Sequence, residues 1–286
     1  MTILITGANG QLGNALREAS LEGGHRYIFT DVAEVDITSA AAIDEIFSRD
    51  GVEVVINCAA YTAVDKAEDE PTLAEEINHH AVALLAKACV KHNATLIHIS
   101  TDYIFDGASS TPYDEASEAK PLSVYGATKW AGECAIAESG CRHIVIRTSW
   151  LYSPFGRNFC KTIRELSSSK ESLMVVCDQI GTPTYAGDLA EAIIHIIKSN
   201  QLDKCGSYNF SNEGVCSWYD FAVEIARLSG NTICEIKPCR SEEYPTKATR
   251  PRYSVLDKSK IKATFGIEIA EWQKSLAKCI KRLNNE

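Results

Sequence analysis

The stretch TGANGQLG, residues 6–13, lies between TILIT (2–6), which reads as a strand, and QLGNALREAS (11–20), which reads as a helix. Gly7, Gly10 and Gly13 are spaced G-x-x-G-x-x-G. Glycines there permit a tight turn and close backbone approach, and the helix N-terminus then presents amides to a pyrophosphate. The spacing differs from the dehydrogenase-type G-x-G-x-x-G, so that fingerprint is not claimed. A glycine-rich turn is also just a turn; its position between strand and helix is what points to a nucleotide.

The same alternation continues through the first half. RYIFT (26–30), EVVIN (53–57), TLIHIS (95–100) and HIVIRTS (143–149) read as strands. SAAAIDEIFSR (39–49), the segment from Pro71 to about His92 and VYGATKWAGECAIAE (124–138) read as helices. Continuous apolar strands separated by helices imply a parallel sheet covered on both faces. Right-handed crossovers make it doubly wound. The expected fold class is α/β, a Rossmann-like doubly wound parallel sheet with a smaller, interleaved C-terminal substrate-binding lobe.

Beyond Trp150 the pattern is less regular. FCKTIRELSSS (159–169), AGDLAEAIIHIIKS (186–199) and WYDFAVEIARLSG (218–230) read as helices, the last stopping at Gly230. SLMVVCD (172–178) reads as a strand, GSYNFS (206–211) as a strand returning to the main sheet, and a final helix is expected from about Ala270. The expected division is a dinucleotide-binding domain over 1–150, joined by a helix and strand near 187–210. The segments 151–186 and 211–286 make the smaller lobe.

Charge and composition exclude several functions. The 286-residue chain carries a net charge of −9 and no basic run longer than a pair, so it lacks an electrostatic footprint for nucleic acid. Its eleven cysteines scatter without a C-x-x-C, which favours buried thiols over disulfides or a zinc site. His79 and His80 are adjacent, and adjacent α-helical residues point about 100° apart, so no metal is expected there. No signal peptide precedes the first strand, and no apolar run reaches the roughly 18 residues of a membrane span. A cytoplasmic protein without a membrane partner is expected.

Asp31 closes the second strand, where an acid accepts hydrogen bonds from an adenosine ribose and repels a 2′-phosphate. An ordinary turn aspartate is the alternative. Asp36 is a second acid within reach of adenine or ribose. The small residues Cys58, Ala59 and Ala60 after the third strand let a cofactor lie against the strand ends.

YGATKW (125–130) places Lys129 four residues after Tyr125. About 0.6 such Tyr–Lys pairs arise by chance among eleven tyrosines, so context must decide. Ser123 is a plausible N-cap, which puts both residues on one helix face. Thr101 ends the preceding strand beside the same crevice. Reducing a ketone requires a hydride at carbon and a proton at oxygen. Tyr125 can supply the proton, Thr101 can hold the carbonyl oxygen, and Lys129 as a nearby cation, along with an oxidised or reacting nicotinamide, is expected to lower a phenol pKa that is ordinarily about 10.

The chain resembles the extended short-chain dehydrogenase/reductases, and within them the dTDP-4-dehydrorhamnose reductase family. The matching pieces are TGANGQLG, AAYTAVDKAE, STDYIFDG, YGATKWAGE, RTSWLY, GRNFCKTI, DQIGTPT and YPTKATRPRYS. The resemblance implies reduction of a nucleotide-sugar C4 ketone by NADPH or NADH, with Thr101, Tyr125 and Lys129 catalytic. It implies a cofactor lined by Gly7, Gly10, Gln11, Leu12, Asp31, Asp36, Ile37, Ala59, Ala60 and Thr62, together with Tyr125 and Lys129. It places Val64, Asp102, Tyr103 and Trp150 near the sugar. Simple packing is the alternative for Val64 and Tyr103. An indole such as Trp150 can stack on a hexose. Arg250 can pair with the substrate diphosphate, or simply be solvated.

Two departures matter. Asn14-Ala15 stands where some members keep a glutamate for a magnesium-bridged dimer, so a monomer or weak dimer without that metal is expected. Asp31 favours NADH on charge while the family often uses NADPH, which leaves both open. Related dehydratases carry Thr-Asp-Glu where this chain has Thr101-Asp102-Tyr103, which favours reduction over elimination. Epimerases of the fold, and a non-catalytic subunit like the regulatory subunit of methionine adenosyltransferase, are the competing expectations.

Overall fold

The computed structural model describes residues 1–21, 24–231 and 233–285. Five strands form in the first half: β1 (Thr2–Thr6), β2 (Arg26–Phe29), β3 (Val54–Asn57), β4 (Thr95–Thr101) and β5 (Arg142–Thr148). Helices α1 (Gln11–Ala19), α2 (Ala40–Asp50), α3 (Val64–Ala67), α4 (Pro71–Glu75), α5 (Ala81–Lys91) and α6 (Val124–Ser139) connect them. The second half adds β6 (Leu151–Tyr152), α7 (Phe159–Ser169), β7 (Ser172–Val176), β8 (Ile180–Gly181), β9 (Thr184–Tyr185) and α8 (Ala186–Lys198). It continues with β10 (Gly206–Asn209), β11 (Cys216–Ser217), α9 (Trp218–Leu228), β12 (Glu235–Cys239), α10 (Ser259–Phe265) and α11 (Trp272–Asn285).

The main sheet is parallel, in the order β2-β1-β3-β4-β5-β10. The chain leaves β1 for β2 on one side and reaches β3 on the other, so the crevice of the sheet lies at the β1 and β3 ends. Strand residues alternate between two cores. Ile5, Ile56 and Ile97 face α1 and α8, where Ile261 and Phe265 of α10 join them. Leu4, Val55 and Leu96 face α2 and α5 on the other side. β10 returns to pair with β5, as GSYNFS suggests. A third cluster joins α7, α9 and α11 through Ile163, Phe221, Ile225, Leu276 and Ile280.

Local signals place the helix starts. The Ser123 hydroxyl accepts the Gly126 amide at 3.1 Å and begins α6. Ser217 and Asp220 form a capping box on α9. The geometric ground for excluding a metal at His79 and His80 does not hold. Glu76–His80 is a π-helical turn, so the 100° spacing of an α-helix does not apply there. His79 and His80 stack with centroids 4.7 Å apart. With Glu75 their ligand atoms lie within 4.8 Å of one another. All eleven cysteines are free thiols, seven of them buried.

Helix α6 packs unusually close to its neighbours. A Cβ on Gly132 meets Asn78 O at 2.3 Å, and one on Gly126 meets Tyr103 O at 2.2 Å. Backbone atoms cannot turn aside as a side chain can. Gly132→Ala gains about 1 kcal/mol of helix propensity but forces α6 off the π-turn. The expected result of chemical denaturation is a net loss of about 2 kcal/mol.

Candidate active site

At the C-terminal edge of the sheet the side chains facing α2 and α5 turn polar. Thr6, Asn57 and His98 are direct cross-strand neighbours on β1, β3 and β4. All three are at most 2% exposed. Thr6 Oγ1 donates to Asn57 Oδ1 at 2.7 Å, and Asn57 Nδ2 lies 3.0 Å from His98 Nδ1. Lys129 reaches this row from α6. Its Nζ donates to Ile99 O at 2.7 Å and lies 3.3 Å from His98 Nε2.

A cleft of about 960 Å³ lies over these strand ends. Every residue expected at the cofactor lines it: Gly7, Gly10, Gln11, Leu12, Asp31, Asp36, Ile37, Ala59, Ala60, Thr62, Tyr125 and Lys129. Gly7 has φ +61°, and a Cβ there would meet Ala59 N at 2.6 Å, so the turn lies directly against the chain leaving β3. Among the described residues beyond its chain neighbours, a Cβ at Gly10 meets only Gly7 O, at 3.2 Å, which leaves open space above the α1 N-terminus. The first amides of an α-helix have no intrahelical acceptor. This is the cradle a dinucleotide pyrophosphate requires, and the residues present fit NADPH or NADH.

The two acids have local duties. Asp31 Oδ2 accepts the Asn9 amide at 3.0 Å and ties the glycine turn to the end of β2. Asp36 Oδ1 accepts both the amide and the hydroxyl of Thr38, which holds its carboxyl below the usual range. The Gln11 side chain is committed to the second half of the chain. Its Oε1 accepts from Ser153 and Asn158 at 3.0 and 2.9 Å, and its Nε2 donates to Leu151 O at 3.3 Å. What Gln11 offers a phosphate is therefore its backbone amide.

Thr101, Tyr125 and Lys129 meet in the same cleft. Burial pushes the Tyr125 phenol up to about 12, against an opposing hydrogen bond with Thr101. Lys129 lies one turn along the same helix, with its Nζ donating to Ile99 O and beside His98. Thr101 Oγ1 donates to Asp102 Oδ1 at 3.1 Å and accepts the Tyr103 amide at 3.2 Å. Among the described residues Asp102 Oδ2 is buried without a hydrogen-bond partner. Burial pushes this carboxyl up to about 6.

Of the residues expected near the sugar and its diphosphate, Val64, Asp102, Tyr103 and Trp150 line the cleft, and Arg250 is not among its lining residues. The Arg250 guanidinium instead pairs with Asp65 on α3, at 2.6 and 3.1 Å. The exposed Arg157 lines the cleft, carried by the GRNF segment before α7. Trp150 has φ +47°, an uncommon conformation for a bulky residue, and its indole stacks on Trp218 with centroids 3.7 Å apart. One indole face is thus occupied by protein. Asn78 was also unforeseen: fully buried, it accepts the Tyr61 amide at 2.9 Å and donates to Tyr61 O and Thr128, fixing the loop after β3.

A doubly wound sheet with a glycine turn at its switch point, and a tyrosine and lysine one helical turn apart over the next strand end, defines a short-chain dehydrogenase/reductase. The chain belongs to the family described as the RmlD substrate binding domain, which matches residues 1–285. It is 40% identical over 283 residues to a dTDP-4-dehydrorhamnose reductase of Aggregatibacter actinomycetemcomitans, covering 96% of each chain. It is similar to the crystal structure of a dTDP-4-dehydrorhamnose reductase from Clostridium acetobutylicum, with TM-score 0.95 and 42% identity over 99% of this chain and 100% of that one. The Bacillus anthracis dTDP-4-dehydrorhamnose reductase in complex with NADP gives TM-score 0.93 and 36% identity over 98% and 99%.

The Asp102 carboxyl binds its proton more tightly in the folded chain than in the unfolded one, where an aspartate titrates near 4. That tighter binding stabilises the fold fully below about pH 4 and is lost as pH rises through about 6. Between pH 5 and pH 8 the wild type should lose about 1–2 kcal/mol through this residue. Urea denaturation of Asp102→Asn at the two pH values should show that difference removed.

Proposed function

We propose that the protein reduces the C4 keto group of dTDP-4-dehydro-6-deoxy-L-mannose to give dTDP-L-rhamnose, with Tyr125 as proton donor. The observation that carries this reading is the meeting of Thr101, Tyr125 and Lys129 with the glycine turn in one cleft, in a chain that matches reductases of that name along its whole length. When bound, NADPH or NADH supplies the hydride. Tyr125 holds the proton for the sugar O4 and becomes a phenolate as the alcohol forms. Thr101 holds O4 by hydrogen bond, and Lys129 together with the α1 amides orients the dinucleotide. Tyr103 supports reduction over elimination: burial raises its phenol above the ordinary value, so it is no base for a sugar C–H.

The division into a dinucleotide domain and a smaller substrate lobe is part of this reading, with the nucleotide sugar lying between Trp150 and Tyr103. Arg157 lines the cleft with access to a diphosphate, and Arg250 borders it beside Tyr103. The protein is taken to act in the cytoplasm as a monomer or weak dimer. Among the described residues no helix is long and apolar enough to cross a membrane. The Asn14 amide donates to Asn9 O and Gly10 O, each at 2.9 Å, within its own turn.

Incubation with dTDP-6-deoxy-L-lyxo-4-hexulose should consume NADPH or NADH, followed by absorbance. No consumption of either, by folded protein, refutes the reading. Tyr125→Phe should stay folded, retain cofactor and lose turnover by roughly 10²-fold or more. Asp31→Ser, which removes a carboxylate beside the ribose, should raise the NADPH-to-NADH ratio of kcat/KM by about tenfold.

A further inference from the structure

The π-turn after α4 gathers three side chains to which the mechanism above gives no task. The Ala81 amide closes the turn by donating to Glu76 O, five residues back. In an α-helix residue i+4 lies about 40° round from residue i, and i+5 about 140° round, toward the far side. The wider π-turn swings i+4 and i+5 to either side of residue i. Glu75 therefore lies beneath His79 and His80 together. The two rings stack with centroids 4.7 Å and planes 28° apart. One ligand atom from each of the three side chains lies within 4.8 Å of the other two.

An i,i+4 pair accounts for part of this, since His79 Nδ1 lies 2.5 Å from Glu75 Oε1. It gives His80 no role. Among the described residues that contact is the only hydrogen bond the three side chains make. The backbone beneath them is held from within. Asn78 is fully buried and bonded to both backbone groups of Tyr61 and to Thr128. Its carbonyl rests against Gly132 of α6. Only side-chain rotation is then needed to close the three ligand atoms on an ion.

Two imidazoles and a carboxylate suit zinc, whereas magnesium and calcium take oxygen ligands. A tetrahedral zinc ion holds its ligand atoms about 3.3 Å apart. Rotation about the side-chain bonds reaches that spacing, with water in the fourth position. The His79 and Glu75 side chains are 29% and 40% exposed and His80 is exposed, so an ion can enter from solvent. We propose that Glu75, His79 and His80 form a binding site for a zinc ion, which staples the end of α4 to the start of α5. Glu76 and Ile77 of the same turn line the cleft, so the staple fixes part of the cleft wall from outside.

The test uses the full chain without a purification tag, freed of metal by a chelator, and zinc chloride alone. Neither cofactor nor sugar is present, so the outcome is separate from that of the reductase assay. Isothermal titration calorimetry should find one zinc bound per chain at micromolar metal. Nitrogen-15 NMR should show zinc shifting the ring nitrogens of His79 and His80, assigned by substitution, and not those of the other histidines. His80→Ala has no hydrogen bond to lose and should stay folded while zinc affinity falls at least about tenfold. Glu75→Gln, which removes the charge and keeps the shape, should weaken binding similarly. Absence of zinc binding overturns the proposal. So does binding undiminished in His80→Ala, as a site built from thiols would give, or displacement of the zinc by equimolar magnesium.

Discussion

Thr6, Asn57 and His98 meet across three neighbouring strands beside the point where the strand order reverses, and the cleft depends on that contact. Two residues earlier the same three strands present Leu4, Val55 and Leu96 to the core. A polar row buried just beyond an apolar one is costly in any other register. Each donor or acceptor left unpaired costs about 1–3 kcal/mol, and a slip by one residue moves every side chain to the opposite face. The row therefore fixes the strand ends on which the cofactor crevice is built. Through Lys129 the same network extends into α6, so the floor of the nucleotide site and the helix carrying Tyr125 share one set of hydrogen bonds.

Desolvation, more than the protein's charge, sets the chemistry of this region. Tyr125 moves up to about 12, Lys129 down to about 8 and Asp102 up to about 6, each toward its neutral form. The net charge of −9 is spread over a surface screened within about 10 Å. Buried groups respond instead to the water they have lost. Close packing of α6 causes that loss, and it is possible because Gly126 and Gly132 let the helix rest on backbone carbonyls.

The sequence carries the fold because strand and helix periods are strong along this chain. The apolar runs at 2–6, 54–57 and 95–101 became neighbours in a parallel sheet, and GSYNFS returned to it. Ser123 was legible as a cap because its pairing with Gly126 is local. The polar row had a signal too, since ILIT, VVIN and LIHIS all turn polar at one register position, but seeing it requires the strands to be aligned. Other features had no local signal. The π-turn at Glu76–His80 depends on packing against Gly132. The Arg250–Asp65 pair joins residues 185 apart in sequence. Stacking of Trp150 on Trp218 depends on a turn that no propensity foretells.

The same long-range contacts show why the glycine turn cannot be treated as a module of the first half. Gln11 opens α1, yet its side chain is held by Leu151, Ser153 and Asn158, 140 to 147 residues away. Asn158 also caps α7 by accepting the Lys161 amide at 3.1 Å. One asparagine thus starts α7 and orients the side chain of the residue that opens α1. On the opposite side of the sheet from α5, α1 packs on α8, an element that arrives only after residue 185. A chain cut at residue 150 would expose the apolar faces of α1 and of β5 and would leave the Gln11 amide group without acceptor and donors. The nucleotide cradle is therefore completed by the second half of the chain, which couples the position of the glycine turn to β6 and α7.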